Sequence, residues 1–150
     1  MMKILHVLYQ SIPNSAGSSI RSRDLINSQL KLGLTPIVIT SPFQEPLNKN
    51  FEREEIDGII YYRTFSNNKN EIITEKKSNI FLQFRKALRL LSFINIVFKV
   101  AKKENIDIIH AHAMFFCAIA AKVSSIRLGV PILYEVRSLW EERYMGLTFF

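Results

Sequence analysis

At 150 residues and 48% hydrophobic content, the chain is long enough for one domain with a substantial core. Its net charge of +7 favours anionic partners, and the single cysteine, Cys117, excludes an internal disulfide and fits a reducing compartment. The most hydrophobic stretch, residues 90–98, falls far short of the roughly 20 apolar residues that cross a bilayer, and the first eight residues lack a cleavage pattern, so neither a transmembrane helix nor a secretory signal is expected.

Residues 4–9 are a compact apolar run of strand length, followed by a loop carrying Pro13, Asn14 and Gly17. From Ser19 onward, Ile20, Leu25, Ile26, Leu30 and Leu32 keep roughly helical spacing. With Ser18 or Ser19 as cap and Gly33 as terminator, this predicts a helix over 19–32. Residues 36–40 read as a second buried strand, 44–57 as a polar surface excursion, 58–65 as a third strand and 66–79 as an Asn-rich loop. Residues 80–104 place Leu82, Leu88, Leu91 and Phe98 among Arg85, Lys86, Arg89, Lys99, Lys102 and Lys103. That is a long helix with apolar and basic faces, expected to pack on the sheet, its basic edge open to peripheral membrane contact. Residues 106–110 form strand four, 113–128 an Ala-rich helix stopped by Gly129, and 130–136 strand five. Strands alternating with helices predict an α/β domain, a Rossmann-like parallel sheet with right-handed crossovers and helices on both faces.

Two segments place polar and cationic groups just past strand ends: Ala16-Gly17-Ser18-Ser19-Ile20-Arg21-Ser22-Arg23, and Tyr134-Glu135-Val136-Arg137-Ser138-Leu139-Trp140-Glu141-Glu142. Open α/β sheets bind ligands there. The first segment also opens a helix, whose unpaired N–H groups and positive dipole end suit an anion, and Gly17 permits close approach to the backbone. Arg21 and Arg23 cannot share a helix face, and Arg21 is the better anion ligand. Arg137, with Trp140, Glu141 and Glu142 after it, suits a sugar or phosphate, and the bland alternative is an Arg137–Glu141 ion pair. His110 and His112 stand on one strand face, His112 nearer the ligand end. No third ligand has recognisable spacing, so no metal is expected. Dinucleotide and P-loop glycine motifs are missing, no nucleophile triad stands out, and the aromatics sit in core-like elements, which argues against nucleic acid.

In order along the chain, Lys3 to Val7, Gly17-Ser18-Ser19-Ile20-Arg21-Ser22-Arg23, Gln29-Leu30-Lys31-Leu32-Gly33, Val38-Ile39-Thr40-Ser41-Pro42, Ile56-Asp57-Gly58-Ile59, His110-Ala111-His112 and Tyr134-Glu135-Val136-Arg137 resemble one protein family. It is the retaining GT-B glycosyltransferases of family four, in the exopolysaccharide and exosortase-associated bacterial subgroup. The resemblance implies the first, acceptor-side domain of a two-domain enzyme, with the donor-binding domain and its glutamate-x7-glutamate pair lying beyond this chain. It implies Gly17, Ser18, Arg21 and Glu141 beside phosphate or substrate, and His112 and Arg137 lining the cleft as catalytic candidates. Many relatives carry histidine where Arg137 stands. Arginine can still hydrogen-bond a sugar hydroxyl or hold a phosphate, but it cannot act as a general base. The implied partners are a nucleotide-sugar donor and a saccharide or lipid-linked acceptor at the cytoplasmic face of the inner membrane, with no cofactor. Residues 146–150 read as an interrupted end, and the unfinished sheet edge is open to pairing in a homodimer. The competing reading is a non-catalytic Rossmann-like module that holds a phosphorylated ligand or a protein partner.

Overall fold

Aliphatic and β-branched runs make the strands, and the segments between them make the crossovers. In a computed structural model that describes residues 1–13, 16–43, 53–64 and 80–137, the chain runs β1 (Lys3–Leu8), α1 (Gly17–Lys31), β2 (Thr35–Thr40), β3 (Arg53–Ile56), β4 (Ile59–Arg63), α2 (Ile80–Glu104), β5 (Ile108–His112), α3 (Phe115–Leu128) and β6 (Ile132–Glu135). The strands form one sheet in the order β3-β4-β2-β1-β5-β6. Four of its pairings are parallel, and β1 stands where the chain reverses its direction of travel across the sheet. This is the Rossmann-like architecture expected, with one correction. β3 lies inside the predicted surface excursion and pairs antiparallel with β4. Asp57 (φ 53°) and Gly58 (φ 79°) make the two-residue turn with both dihedrals positive that suits a hairpin's twist. The Asp-Gly dipeptide between two isoleucines was the readable signal.

Alternation sorts the sheet's residues onto two faces. Leu5, Val7, Ile37, Ile39, Ile109 and Ala111 pack with Phe93 and Val97 of α2 and with Phe116, Cys117, Ala120 and Ala121 of α3. Phe93 stacks on Phe116 with ring centroids 5.3 Å apart. The long helix therefore packs as expected through its middle and end, while Phe84, Leu88 and Leu91 remain exposed. The side chains of Leu82 and Arg85 lie outside the described residues. No described helix is long and apolar enough to cross a membrane. Burial pushes the Cys117 thiol well above its ordinary range, which suppresses the reactive thiolate.

On the other face Leu8, Val38, Ile59 and Tyr61 meet Ile26 of α1. Here the expected apolar stripe is wrong in detail. Ile20, Leu30 and Leu32 are exposed, and α1 buries Ser19, Ser22 and Ile26 instead. The reason is the surface beneath it, where His6, His110 and His112 interrupt the apolar positions of β1 and β5, so the helix presents the hydroxyl groups of Ser19 and Ser22 there and keeps Ile26 over Leu8 and Val38. The same face buries the Arg63 guanidinium, which bonds Glu54, the Ser11 hydroxyl and, at 2.9 Å, the Ile12 carbonyl, tying down the loop that leads toward α1.

Several boundaries differ from expectation, two of them for clear local reasons. Strand four begins at Ile108 because Asn105 (φ 53°) ends α2 and the Ile106 N–H still bonds the Ala101 carbonyl at 3.1 Å. The third helix begins at Phe115 because Ala113 (φ 58°) turns the chain sharply out of β5. Gly129 ends α3 as expected, in the left-handed conformation (φ 69°), with the Val130 N–H reaching the Ser125 carbonyl at 3.2 Å. Gly129→Ala meets open space but must hold that dihedral, so urea unfolding is expected to show a loss of about 1 kcal/mol.

Candidate functional site

β1 and β5 are neighbours in register, His6 beside His110, and β6 continues the row with His112 beside Glu135. Period-two alternation puts His6, His110, His112 and Glu135 on the α1 face at the point where the sheet's chain order reverses. That crevice is where open α/β sheets place ligands. α1 crosses above it with Ser22 and Gln29 directed at the sheet. Arg137 comes back from the end of β6 to close the cluster.

The Arg137 side chain is 9% exposed, and all five of its donors are engaged. Nη1 donates to the Ser18 carbonyl at 2.8 Å and the Ser22 hydroxyl at 2.9 Å. Nη2 reaches His112 Nδ1 at 2.7 Å and Glu135 Oε2 at 3.2 Å, and Nε reaches Glu135 Oε1 at 3.1 Å. The guanidinium thus bolts the first turns of α1 to the ends of β5 and β6. Behind it, His112 Nε2 lies 2.9 Å from His6 Nδ1, and His6 Nε2 lies 2.7 Å from Gln29 Oε1. His110 stacks on His112 at 4.0 Å, and its Nε2 is buried with no hydrogen-bond partner among the described residues, 3.7 Å from Glu135 Oε2.

Burial dominates the electrostatics. It lowers His6 to about 3 and His112 to about 2, with the neighbouring His110 adding to both shifts and the Gln29 bond partly opposing the first. His110 is lowered too, by burial and Arg137, against the pull of Glu135. The three imidazoles are neutral at pH 7. Burial alone would raise Glu135, but the hydrogen bonds and charge of Arg137, with His110 and Arg21 behind it, hold its carboxyl below the ordinary range. The centre of the crevice therefore carries one fixed carboxylate and one fixed guanidinium.

Of the residues singled out in the sequence, Arg137, His112, Ser18 and Arg21 converge here. Arg21 is at the rim, 69% exposed, with Nη2 3.4 Å from Glu135 Oε1, while Arg23 pairs with Asp24 away from the site. Gly17 and Ser18 form the exposed first turn of α1, which begins two residues earlier than expected and has no side-chain cap. Glu141, with Trp140 and Glu142, lies outside the described residues, so the Arg137–Glu141 pair does too, and the described partner of Arg137 is Glu135. Sequence reasoning missed His6, Gln29, Ser22 and Glu135. The readable signal was a histidine at an even position of an otherwise apolar strand. His6 also supplies the third imidazole that spacing could not find. The ring nitrogens of His6, His110 and His112 lie within 4.8 Å of one another.

The fold has well-separated relatives among solved structures. Sucrose-phosphate synthase from Thermosynechococcus elongatus aligns with a TM-score of 0.62 at 13% identity, over 97% of this chain and 35% of that one. MurG from Acinetobacter baumannii aligns with a TM-score of 0.58 at 10% identity, over 98% and 39%. The C-terminal domain of the PF1911 hydrogenase from Pyrococcus furiosus aligns with a TM-score of 0.56 at 14% identity, over 90% and 91%. The chain thus spans little more than a third of the synthase and of MurG. Identities this low speak for the fold alone. No curated protein matches the sequence. The model of Glycosyltransferase Family 4, however, matches residues 16–149, nearly the whole chain, and with that match the chain belongs to this family of glycosyltransferases.

Proposed function

We propose that this chain is the acceptor-side domain of a retaining, two-domain glycosyltransferase. The complete enzyme would move a sugar from a nucleotide-sugar donor to a saccharide or lipid-linked acceptor, in polysaccharide assembly at the cytoplasmic face of a bacterial inner membrane. The observation that carries the reading is the meeting of the uncapped first turn of α1, Arg21 and the Glu135–Arg137 pair at the crevice between β1 and β5, in a chain of this family. A donor diphosphate suits the first-turn N–H groups at Gly17 and Ser18 and the exposed guanidinium of Arg21. Glu135, 23% exposed and ionised, is placed to accept hydrogen bonds from sugar hydroxyls. Arg137 and His112 act from behind, holding Glu135 and α1 in position.

The test uses the protein expressed from its complete reading frame, incubated with a panel of nucleotide sugars and membrane extract and read by mass spectrometry. One donor is expected to be consumed, with the matching sugar mass added to an acceptor and the anomeric configuration kept. Arg21→Ala is expected to lower kcat/KM about tenfold, the low end for a charge-assisted hydrogen bond at an exposed site. Absence of transfer, combined with tight calorimetric binding of a nucleotide sugar by the 150-residue chain alone, would overturn the reading in favour of a binding module.

A further inference from the structure

Hydrogen-bond polarity along the buried chain Gln29–His6–His112–Arg137 can be worked out from its cationic end. Arginine only donates, so the 2.7 Å contact from Arg137 Nη2 requires a bare lone pair on His112 Nδ1. A neutral imidazole carries one N–H, so that proton sits on His112 Nε2 and points along the 2.9 Å contact to His6 Nδ1. His6 Nδ1 is then the acceptor, and the His6 proton sits on Nε2, 2.7 Å from the carbonyl oxygen of Gln29. Each assignment forces the next. Reversed polarity would let His112 Nδ1–H donate to Glu135 Oε2 at 3.0 Å, but it would also set that N–H against a guanidinium N–H at 2.7 Å. With the polarity that Arg137 imposes, Nη2 serves both His112 Nδ1 and Glu135 Oε2, two acceptors 3.0 Å apart that share the positive field of the guanidinium.

We infer that Gln29 and His6 are positioning residues, which continue the polarity set by Arg137 and seat His112 so that its Nδ1 lone pair holds Arg137 and, through it, Glu135 at the mouth of the crevice. Neither residue touches the crevice opening: His6 is fully buried, and Gln29 stands ten residues down α1 from Ser19. The functional side of the inference rests on the glycosyltransferase reading above, whereas the tautomer does not. The same three histidines also suggest a cation site, since their ring nitrogens lie within 4.8 Å. Two features weigh against it. A metal would have to displace the ring proton shared in the His6–His112 contact, and it would sit beside the Arg137 cation.

The experiment records long-range 15N–1H correlations of the histidine rings in the 15N-labelled chain at pH 7, with and without one equivalent of Zn²⁺, in wild type and Gln29→Met. The expected wild-type pattern is a single tautomer at His6 and His112, protonated on Nε2 in both and unchanged by zinc. In Gln29→Met, which removes the acceptor at the end of the chain while Arg137 stays in place, both rings are expected to keep the Nε2 tautomer and the His6 Nε2 proton, without its hydrogen bond, to move upfield. In the complete enzyme the same variant is expected to raise the donor KM about fivefold with kcat little changed, the size of one hydrogen bond. A proton on His112 Nδ1 in the wild type, zinc shifts at His6, His110 and His112, or an unmoved His6 Nε2 proton in Gln29→Met would each overturn the inference. A wild type without transfer activity but with the expected tautomers would instead strike the functional reading alone.

Discussion

Between pH 7 and pH 5 the fold is expected to lose about 4 kcal/mol of stability from His6 and His112 alone. Unfolded, each imidazole titrates near its ordinary 6.5, whereas in the fold burial and neighbouring charge lower them to about 3 and about 2. Below pH 6.5 the unfolded chain therefore binds protons that the folded one refuses. The stability these groups contribute is present above 6.5 and falls as pH falls toward the folded values, by about 1.4 kcal/mol per unit for each histidine. Because neither ring is protonated in the fold over that range, the two losses add. His110, also lowered, acts in the same direction. Urea unfolding at pH 7, 6 and 5 measures the slope, and His6→Gln should make it shallower by one proton. Equal midpoints at pH 7 and pH 5 would show that the histidines are not held neutral.

Arg137→Ala is expected to cost about 3–5 kcal/mol of stability at pH 7, the range for breaking a buried charge network by removing one partner. The truncation strands His112 Nδ1, the Ser18 carbonyl and Ser22 hydroxyl contacts, and leaves the exposed Arg21 as the cationic partner of Glu135 among the described residues. Arg137→Lys keeps the charge but not the planar five-donor fork, so it should fall between wild type and alanine. Arg21→Ala, which removes a rim cation 69% exposed, should change stability by less than about 1 kcal/mol. Chemical denaturation of the three variants checks the order. In the complete enzyme, Arg137→Ala should also depress transfer well beyond the effect of Arg21→Ala, measured at a temperature where the variant remains folded. An unchanged rate would remove Arg137 from the site.

Much of the site was legible in pieces. The glycine and serines of the first turn of α1, Arg21, His112 and Arg137 stood out because they follow apolar runs, where a parallel sheet ends. His6 did not, because a lone histidine in a six-residue aliphatic strand reads as an ordinary core position. Gln29 was hidden by the opposite bias, since a polar residue on a helix rich in polar residues carries no mark. The apolar spacing of α1 was misleading for a related reason. It identified the helix, but Ile20, Leu30 and Leu32 face water while Ser19 and Ser22 face the sheet. The polar face of the sheet sets that orientation, and no residue within the helix specifies it.

From local physics alone, the sequence determined the element types, the αL glycine at 129 and the alternating α/β order. Those features depend on neighbours within a few positions, through dihedral preference, periodicity and capping. The tertiary structure decided the rest: the β3 hairpin at the edge, the burial of three neutral histidines beneath α1, and the use of Arg137 as a fully engaged bolt rather than a free cation. His6, Gln29, His112 and Arg137 are separated by as many as 131 positions in the chain, and only the reversal of chain order at β1 brings their ring nitrogens, amide and guanidinium within hydrogen-bonding distance.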